Sequence, residues 1–205
     1  MWRYAEPAIV LGCSQRALRD DMQQRLGGRA ALVQRESGGG AVLTGPWLVS
    51  VSVALPAEHP WARAGVVGAY EPLAALHHAA LADAGIAAEL LRPADVAAAN
   101  AAIPTVRWAC FGSLSPWELV AGGGRKLVGL AQRRRRDAVL LVAGTLVSPP
   151  DWALLCEAAG QPGDLAALQA RTVSCHEVSG RPVDASRFVA ALSVRIDAAL
   201  GTAVG

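Results

Sequence analysis

The chain has little of what usually betrays a function. It has no excess of charge: 19 lysines and arginines against 17 aspartates and glutamates leave a net charge of +2, too balanced to imply nucleic acid or a membrane surface by charge alone. It has no long hydrophobic run. The longest, residues 138–147, is too short to cross a bilayer and suits a buried strand. No secretory signal is visible, because Met1 runs directly into Trp2, Arg3 and Tyr4. The four cysteines, Cys13, Cys110, Cys156 and Cys175, stand far apart with no CxxC pair. That argues against structural zinc and for reduced thiols in the cytoplasm. His59, His77, His78 and His176 form no ligand spacing. There is no GxGxxG, no P-loop, no internal repeat, no coiled coil and no linker, so a single domain over residues 1–205 is expected.

What is present is a globular composition, with 53% hydrophobic residues in 205, enough to bury a sizeable core. Residues 7–11 read as a short apolar strand and residues 16–26 as a polar helix or turn closed by Gly27 and Gly28. Residues 47–55 alternate cleanly, with Val49, Val51, Val53 and Leu55 on one face and Ser50 and Ser52 on the other, a half-buried strand. Apolar positions between Val66 and Ala84 recur at helical spacing, with Pro72 as a kink or a first-turn residue and Gly85 as the stop. Residues 91–103 are alanine-rich and weakly patterned. Residues 119–120 and 126–131 read as strands around Gly122, Gly123 and Gly124, and residues 138–147 as a further strand. Asp184 can cap a last helix with Phe188, Leu192, Ile196 and Leu200 on one face. Strands, a helix, more strands and a helix make an α+β fold.

A few stretches could carry chemistry. In residues 33–46, VQRESGGGAVLTGP, three consecutive glycines either let backbone N–H groups converge on a ligand, with Arg35 as a charged fork, or make a tight bend between strands. Lys126, in RKLVGLAQ, falls by strand period on the face of Val128 and Leu130, as an edge residue that snorkels or as a functional ammonium in a pocket. Gly129 leaves room for close approach. Cys110, in WACFGSLSPWEL, is either a small buried hydrophobe or an acyl-accepting thiolate. The run Arg133 to Arg136 is a solvated hairpin tip or a docking patch for an acidic protein.

In order along the chain, QRESGGGAV, RKLVGLAQRR and AGTLV resemble the catalytic domain shared by lipoate–protein ligases and octanoyltransferases. PAIVLGCSQ resembles the family's early strand with its Gly-x-x-Gln turn, and RTVSCHEV its late strand. The resemblance implies a mixed, largely antiparallel sheet flanked by helices, the biotin/lipoate ligase-like fold. It implies attachment of lipoyl or octanoyl groups to a lysine of lipoyl domains, in 2-oxoacid dehydrogenase E2 proteins and the glycine cleavage H protein, with no nucleic acid or membrane partner. Ser37, Gly38, Gly39 and Gly40 would wrap the acyl group, Arg35 would hold that segment or the carboxyl or phosphate end, Gly129 and Ala131 would border the acyl chain, and Lys126 would contact the acyl carbonyl.

The family holds two chemistries. Ligases use ATP and Mg²⁺, with no protein metal ligands expected here. Octanoyltransferases take the acyl group from acyl carrier protein onto a cysteine and need no cofactor. ACFGSLSPWEL resembles the Cys-Phe-x-x-x-Ser-x-x-Glu segment of a transferase subgroup, which makes Cys110 the nucleophile. Thr44-Gly45 stands where the family has His-Asp, Ala143 where it has the histidine of HGTL, and Gln34 where it has a first arginine. Met1 begins close to the family's first conserved strand, so the helix and strand that usually precede that strand are expected to be missing. A non-catalytic acyl- or carrier-binding relative is the alternative; biotin ligation would need a GRGRxGR-type loop, which the sequence lacks.

Overall fold

The fold was obtained as a computed structural model in which residues 1–201 are described. Its strands are β1 (Trp2–Arg3), β2 (Ala8–Leu11), β3 (Ala31–Gln34), β4 (Val42–Thr44), β5 (Leu48–Pro56), β6 (Glu89–Leu90), β7 (Leu119–Ala121), β8 (Arg125–Arg134) and β9 (Ala138–Leu146). Its helices are α1 (Arg19–Leu26), α2 (Pro60–Arg63), α3 (Gly65–Gly68), α4 (Tyr70–Asp83), α5 (Val96–Ala102), α6 (Trp152–Ala159), α7 (Leu165–Arg171), α8 (Cys175–Ser179) and α9 (Ala185–Gly201). The strands form a six-stranded sheet in the order β1-β5-β9-β8-β7-β6 and a three-stranded sheet in the order β3-β2-β4. Every ladder of the large sheet is antiparallel; in the small one β2 and β3 run parallel. This is the mixed, largely antiparallel α+β architecture expected from the sequence.

The alternation in β5 decides which face is which. Val49, Val51, Val53 and Leu55 pack with Val128, Leu130, Leu141 and the buried faces of α4 and α9 in one core. Leu48 and Leu146 join a second core with the small sheet, α1 and α6. Ser50 and Ser52 therefore face the space between the two sheets, and it is there that a cavity opens.

Local sequence explains most element ends. Asp184 Oδ1 accepts the N–H groups of Ser186 (2.9 Å) and Arg187 (3.1 Å) at the start of α9, and Phe188, Leu192 and Ile196 are buried beneath it. The helix expected from Val66 is interrupted: α2 and α3 are single turns, and α4 starts at Tyr70 with Pro72 in its first turn, where proline lacks only a donor with no partner. His77 of α4 is fully buried, with Nδ1 2.8 Å from Leu73 O, and burial pushes its pKa down to about 4. The alanine-rich stretch becomes α5, held by Arg171. That guanidinium is fully buried and donates to the carbonyls of Ala99, Asn100, Ile103 and Pro104, a cation at a helix C-terminus.

Candidate active site

The cavity between the sheets has a volume of about 260 Å³. Its floor follows one row of cross-strand partners in the large sheet: Gly129 of β8 faces Gly144 of β9, Gly144 faces Ser50 of β5, and Ser50 faces Trp2 of β1. All four line the cavity. Two adjacent glycines remove the side chains that would otherwise fill the middle of the sheet. At the β1 end Tyr4 Oη lies 3.0 Å from Ser50 Oγ. Val10 and Val42 of the small sheet, with Leu48, Val142 and Phe111, make most of the remaining wall apolar. Cys110 opens onto this space at the β8 side, next to Phe111, whose ring would meet a methyl on Gly129 at 3.3 Å.

The turn that carries Cys110 is tied down on all sides. Its backbone bridges to the end of the glycine run: Ala41 N–H donates to Trp108 O (2.8 Å) and Cys110 N–H to Ala41 O (2.8 Å). Gln15, from the Gly-x-x-Gln turn, donates its amide to Trp108 O (2.9 Å), and the Trp108 indole donates to Asp164 Oδ2 (2.7 Å). A Cβ on Gly40 would lie 2.6 Å from Trp108 O and 2.8 Å from the Ala109 carbonyl carbon, and one on Gly12 would collide with Gly39 O. The close approach that these glycines permit is thus made by the protein's own chain. Gly39 takes φ 96°. Arg35 closes the loop from within, donating to Gly38 O (2.9 Å), Gly40 O (2.8 Å) and Val10 O (3.4 Å).

Lys126 does not lie with Val128 and Leu130. The β7–β8 register shifts between Leu119 and Val120, so that Leu119 pairs with Val128 but Val120 with Lys126. The extra residue, Leu127, is a bulge, and beyond a bulge the alternation of faces reverses. Lys126 consequently crosses to the side of Gly129, where a methyl would touch its Cε at 3.0 Å. Its ammonium is buried immediately behind the cavity wall, 5.1 Å from the centre of the Phe111 ring. Nζ donates to Cys110 O (3.0 Å) and Ser113 O (3.0 Å) and pairs with Glu118 Oε1 at 2.7 Å, both side chains being 2% exposed. Glu118 also accepts the N–H groups of Ser115 (2.8 Å) and Leu130 (3.0 Å). Burial raises the Glu118 carboxyl above its ordinary pKa, and the Lys126 charge opposes that rise. Tyr70, from α4, feels both Glu118 and Cys110; burial first, and then these two groups, push its hydroxyl up.

Of the residues singled out in the sequence, Arg35, Ser37, Cys110, Gly129 and Ala131 line the cavity. Gly38, Gly39, Gly40 and Lys126 are not among its walls. Cys156 and Cys175 are buried thiols with pKa values pushed up to about 11 and about 12 by burial, which leaves them inert. The arginine run sits at the solvated tip between β8 and β9, where Arg134, Arg135 and Arg136 are exposed; Arg133 and Arg135 pair with Glu36, and Arg134 donates to Ala62 O (2.7 Å) in α2. Among the described residues no group of His, Cys, Asp and Glu could hold a metal ion, and no helix is long and apolar enough to cross a membrane. Sequence reasoning placed Gln15 in the Gly-x-x-Gln turn and Glu118 in the cysteine motif but gave neither a role. For Glu118 the signal was its spacing from Ser115, a carboxylate set between Trp117 and Leu119 in an otherwise apolar stretch.

An acyl-sized apolar cavity with a thiol on its wall, built between a glycine-rich loop and a lysine strand, defines the class. The chain belongs to the lipoyl protein ligase A/B catalytic domain family, whose model matches residues 1–194. It is 30% identical to the octanoyltransferase LipM of Kyrpidia tusciae over 98% of this chain and 74% of that protein. Its fold is similar to protein Ta0514 of Thermoplasma acidophilum with bound lipoic acid, at a TM-score of 0.65 and 19% identity over 96% of this chain and 69% of that one. It is also similar to lipoate-protein ligase A bound with ATP, at a TM-score of 0.66 and 18% identity over 96% and 70% of the two chains.

Proposed function

We propose that the protein is an octanoyl- or lipoyl-transferring enzyme of protein lipoylation that works through Cys110. The observation that carries this reading is the placement of Cys110 on the apolar cavity, beside the Gly129–Gly144 floor and next to a buried, charged Lys126. In the first step the Cys110 thiolate attacks the carbonyl of an octanoyl thioester on acyl carrier protein. The carrier's thiol leaves with a proton and Cys110 becomes the new thioester. In the second step the ε-amine of a lysine on a lipoyl domain attacks that thioester, forms the amide and releases the Cys110 thiol. The chain of the acyl group lies over Gly129 and Gly144 toward Ser50. Lys126 stays behind the wall, its donors on Cys110 O, Ser113 O and Glu118, and places its charge next to the turn that carries the thiol without touching the acyl carbonyl. Arg35 and Ser37 keep the glycine loop closed over it. Acceptors are lipoyl domains of the E2 and glycine cleavage H type, met in the cytoplasm, where the thiol stays reduced.

Support for transfer rather than ATP-dependent ligation comes from the positions where the family's polar pair would stand. Thr44 gives its hydroxyl to Ala8 O (3.0 Å), the Trp47 ring packs against Gly45, and Arg35 spends its donors on backbone carbonyls. These residues do not fit a nucleotide–Mg²⁺ site. The test is incubation with octanoyl-acyl carrier protein, followed by intact mass and then addition of a lipoyl domain. An octanoyl group on the wild-type chain, absent from Cys110→Ala and passed on to the lipoyl domain, is expected. A Cys110→Ala chain that modifies the lipoyl domain at the wild-type rate, and only with ATP, overturns the reading in favour of ligation.

A further inference from the structure

The acyl-transfer steps use Cys110 and Lys126 but leave Glu118 without a task. Its burial is costly: taking two charges out of water gives a pair that is weak support for stability. The fold nevertheless goes to some length to place it. The chain reaches Glu118 through Trp117 at φ 66°, the one non-glycine residue with positive φ among the described residues, a strained conformation for a bulky side chain. The Trp117 indole N–H is buried without a partner. The result is a carboxylate aimed inward, where Ser115 and Leu130 N–H groups fix it and Lys126 Nζ meets it at 2.7 Å. An ammonium has three donors. The other two of Lys126 go to Cys110 O and Ser113 O, at either end of the turn that presents the thiol.

On the reading that Cys110 is the acyl acceptor, we propose that Glu118 is a positioning residue for the transfer: it holds the Lys126 ammonium in place, and through it pins the 110–113 turn so that the thiol faces the cavity. Glu118 does not touch the substrate. It is 1% exposed and absent from the cavity wall. The geometry makes a chain of dependence, from the Trp117 turn to Glu118, from Glu118 to Lys126, and from Lys126 to the carbonyls of Cys110 and Ser113. A side chain that served only to fill space would need neither the charge nor the strained turn.

The experiment uses the whole chain and octanoyl-N-acetylcysteamine, a small thioester donor that needs no protein docking, with single-turnover acylation of Cys110 followed by intact mass. Glu118→Gln is expected to lower the rate at saturating donor about a hundredfold, the scale of a misplaced reacting group. The half-saturating donor concentration should stay within about twofold, because the cavity itself is untouched. Lys126→Met is expected to lower the rate as well, and the Glu118→Gln/Lys126→Met double variant no further than Lys126→Met alone, because the two residues act as one unit. A Glu118→Gln chain acylated at the wild-type saturating rate overturns the inference. So do two single losses that multiply in the double variant. Should Glu118→Gln fail to fold with its unpaired lysine, the double variant, which has no unpaired buried charge, is compared with Lys126→Met: equal rates support the inference and a lower rate overturns it. A wild-type chain that takes no octanoyl group defeats the acyl-transfer reading, and this inference with it; a wild-type chain that is acylated and matched by Glu118→Gln defeats the inference alone.

Discussion

The chain contains two runs of three glycines, and they do opposite things. Gly122, Gly123 and Gly124, between β7 and β8, all take left-handed φ values of 53°, 86° and 85°. A Cβ on Gly123 or Gly124 would meet nothing within 4 Å. This run is needed for its backbone angles; only at Gly122 would a Cβ meet anything, the Arg125 guanidinium at 3.0 Å. In the run Gly38, Gly39, Gly40 only Gly39 has positive φ, and Gly40 is needed for its missing side chain, because the Trp108–Ala109 backbone occupies that volume. One run turns the chain; the other lets a second segment press against it, and the pressed segment carries Cys110. Identical letters thus report a conformational demand in one place and a steric one in the other, which is why the sequence alone left the first run open between a bend and a cradle.

The comparison breaks most readily at Gly40. Gly40→Ala forces a methyl against backbone that cannot rotate away, and is expected to cost about 3 kcal/mol of stability and to abolish detectable octanoyl transfer, measured by urea denaturation and by intact mass. Gly123→Ala meets no atom but must hold an alanine at positive φ, and is expected to cost about 1 kcal/mol with octanoyl transfer unchanged. Gly38→Ala has neither positive φ nor a neighbour within 4 Å, and its stability is expected to stay within about 0.5 kcal/mol of the wild type. An acylation rate that falls in Gly38→Ala while stability holds would mean that substrate, rather than protein backbone, occupies this part of the loop. A Gly40→Ala chain as stable as Gly123→Ala would erase the distinction between the two runs.

Much of this was legible in the residues because it is set locally. The alternation of Val49, Val51 and Val53 against Ser50 and Ser52 gave both faces of β5, and Asp184 with its four-residue apolar spacing gave the start and the buried side of α9. What could not be read depends on partners far away in the chain. The face of Lys126 was misassigned because a one-residue bulge against β7 reverses the alternation, and nothing in RKLVGLAQ marks it. The partners of the arginine run, Glu36 and the Ala62 carbonyl, were hidden in the same way, because many residues separate them from it. Glu118 stood in the quoted motif, but a buried role for a carboxylate only becomes visible once Lys126 is seen to lie 2.7 Å from it.

The row of partners Gly129, Gly144, Ser50 and Trp2 has a consequence for measurement of length. It runs across the strands, not along them, so distance along the cavity floor is graduated by the spacing between neighbouring strands, about 4.8 Å. From β8 to β1 there are three such steps, or roughly 14 Å, with the thiol near the first mark and the Tyr4–Ser50 hydroxyl pair near the last. A chain laid in this groove is sized by how many strands it crosses, which makes the hydrogen-bonded sheet itself the ruler.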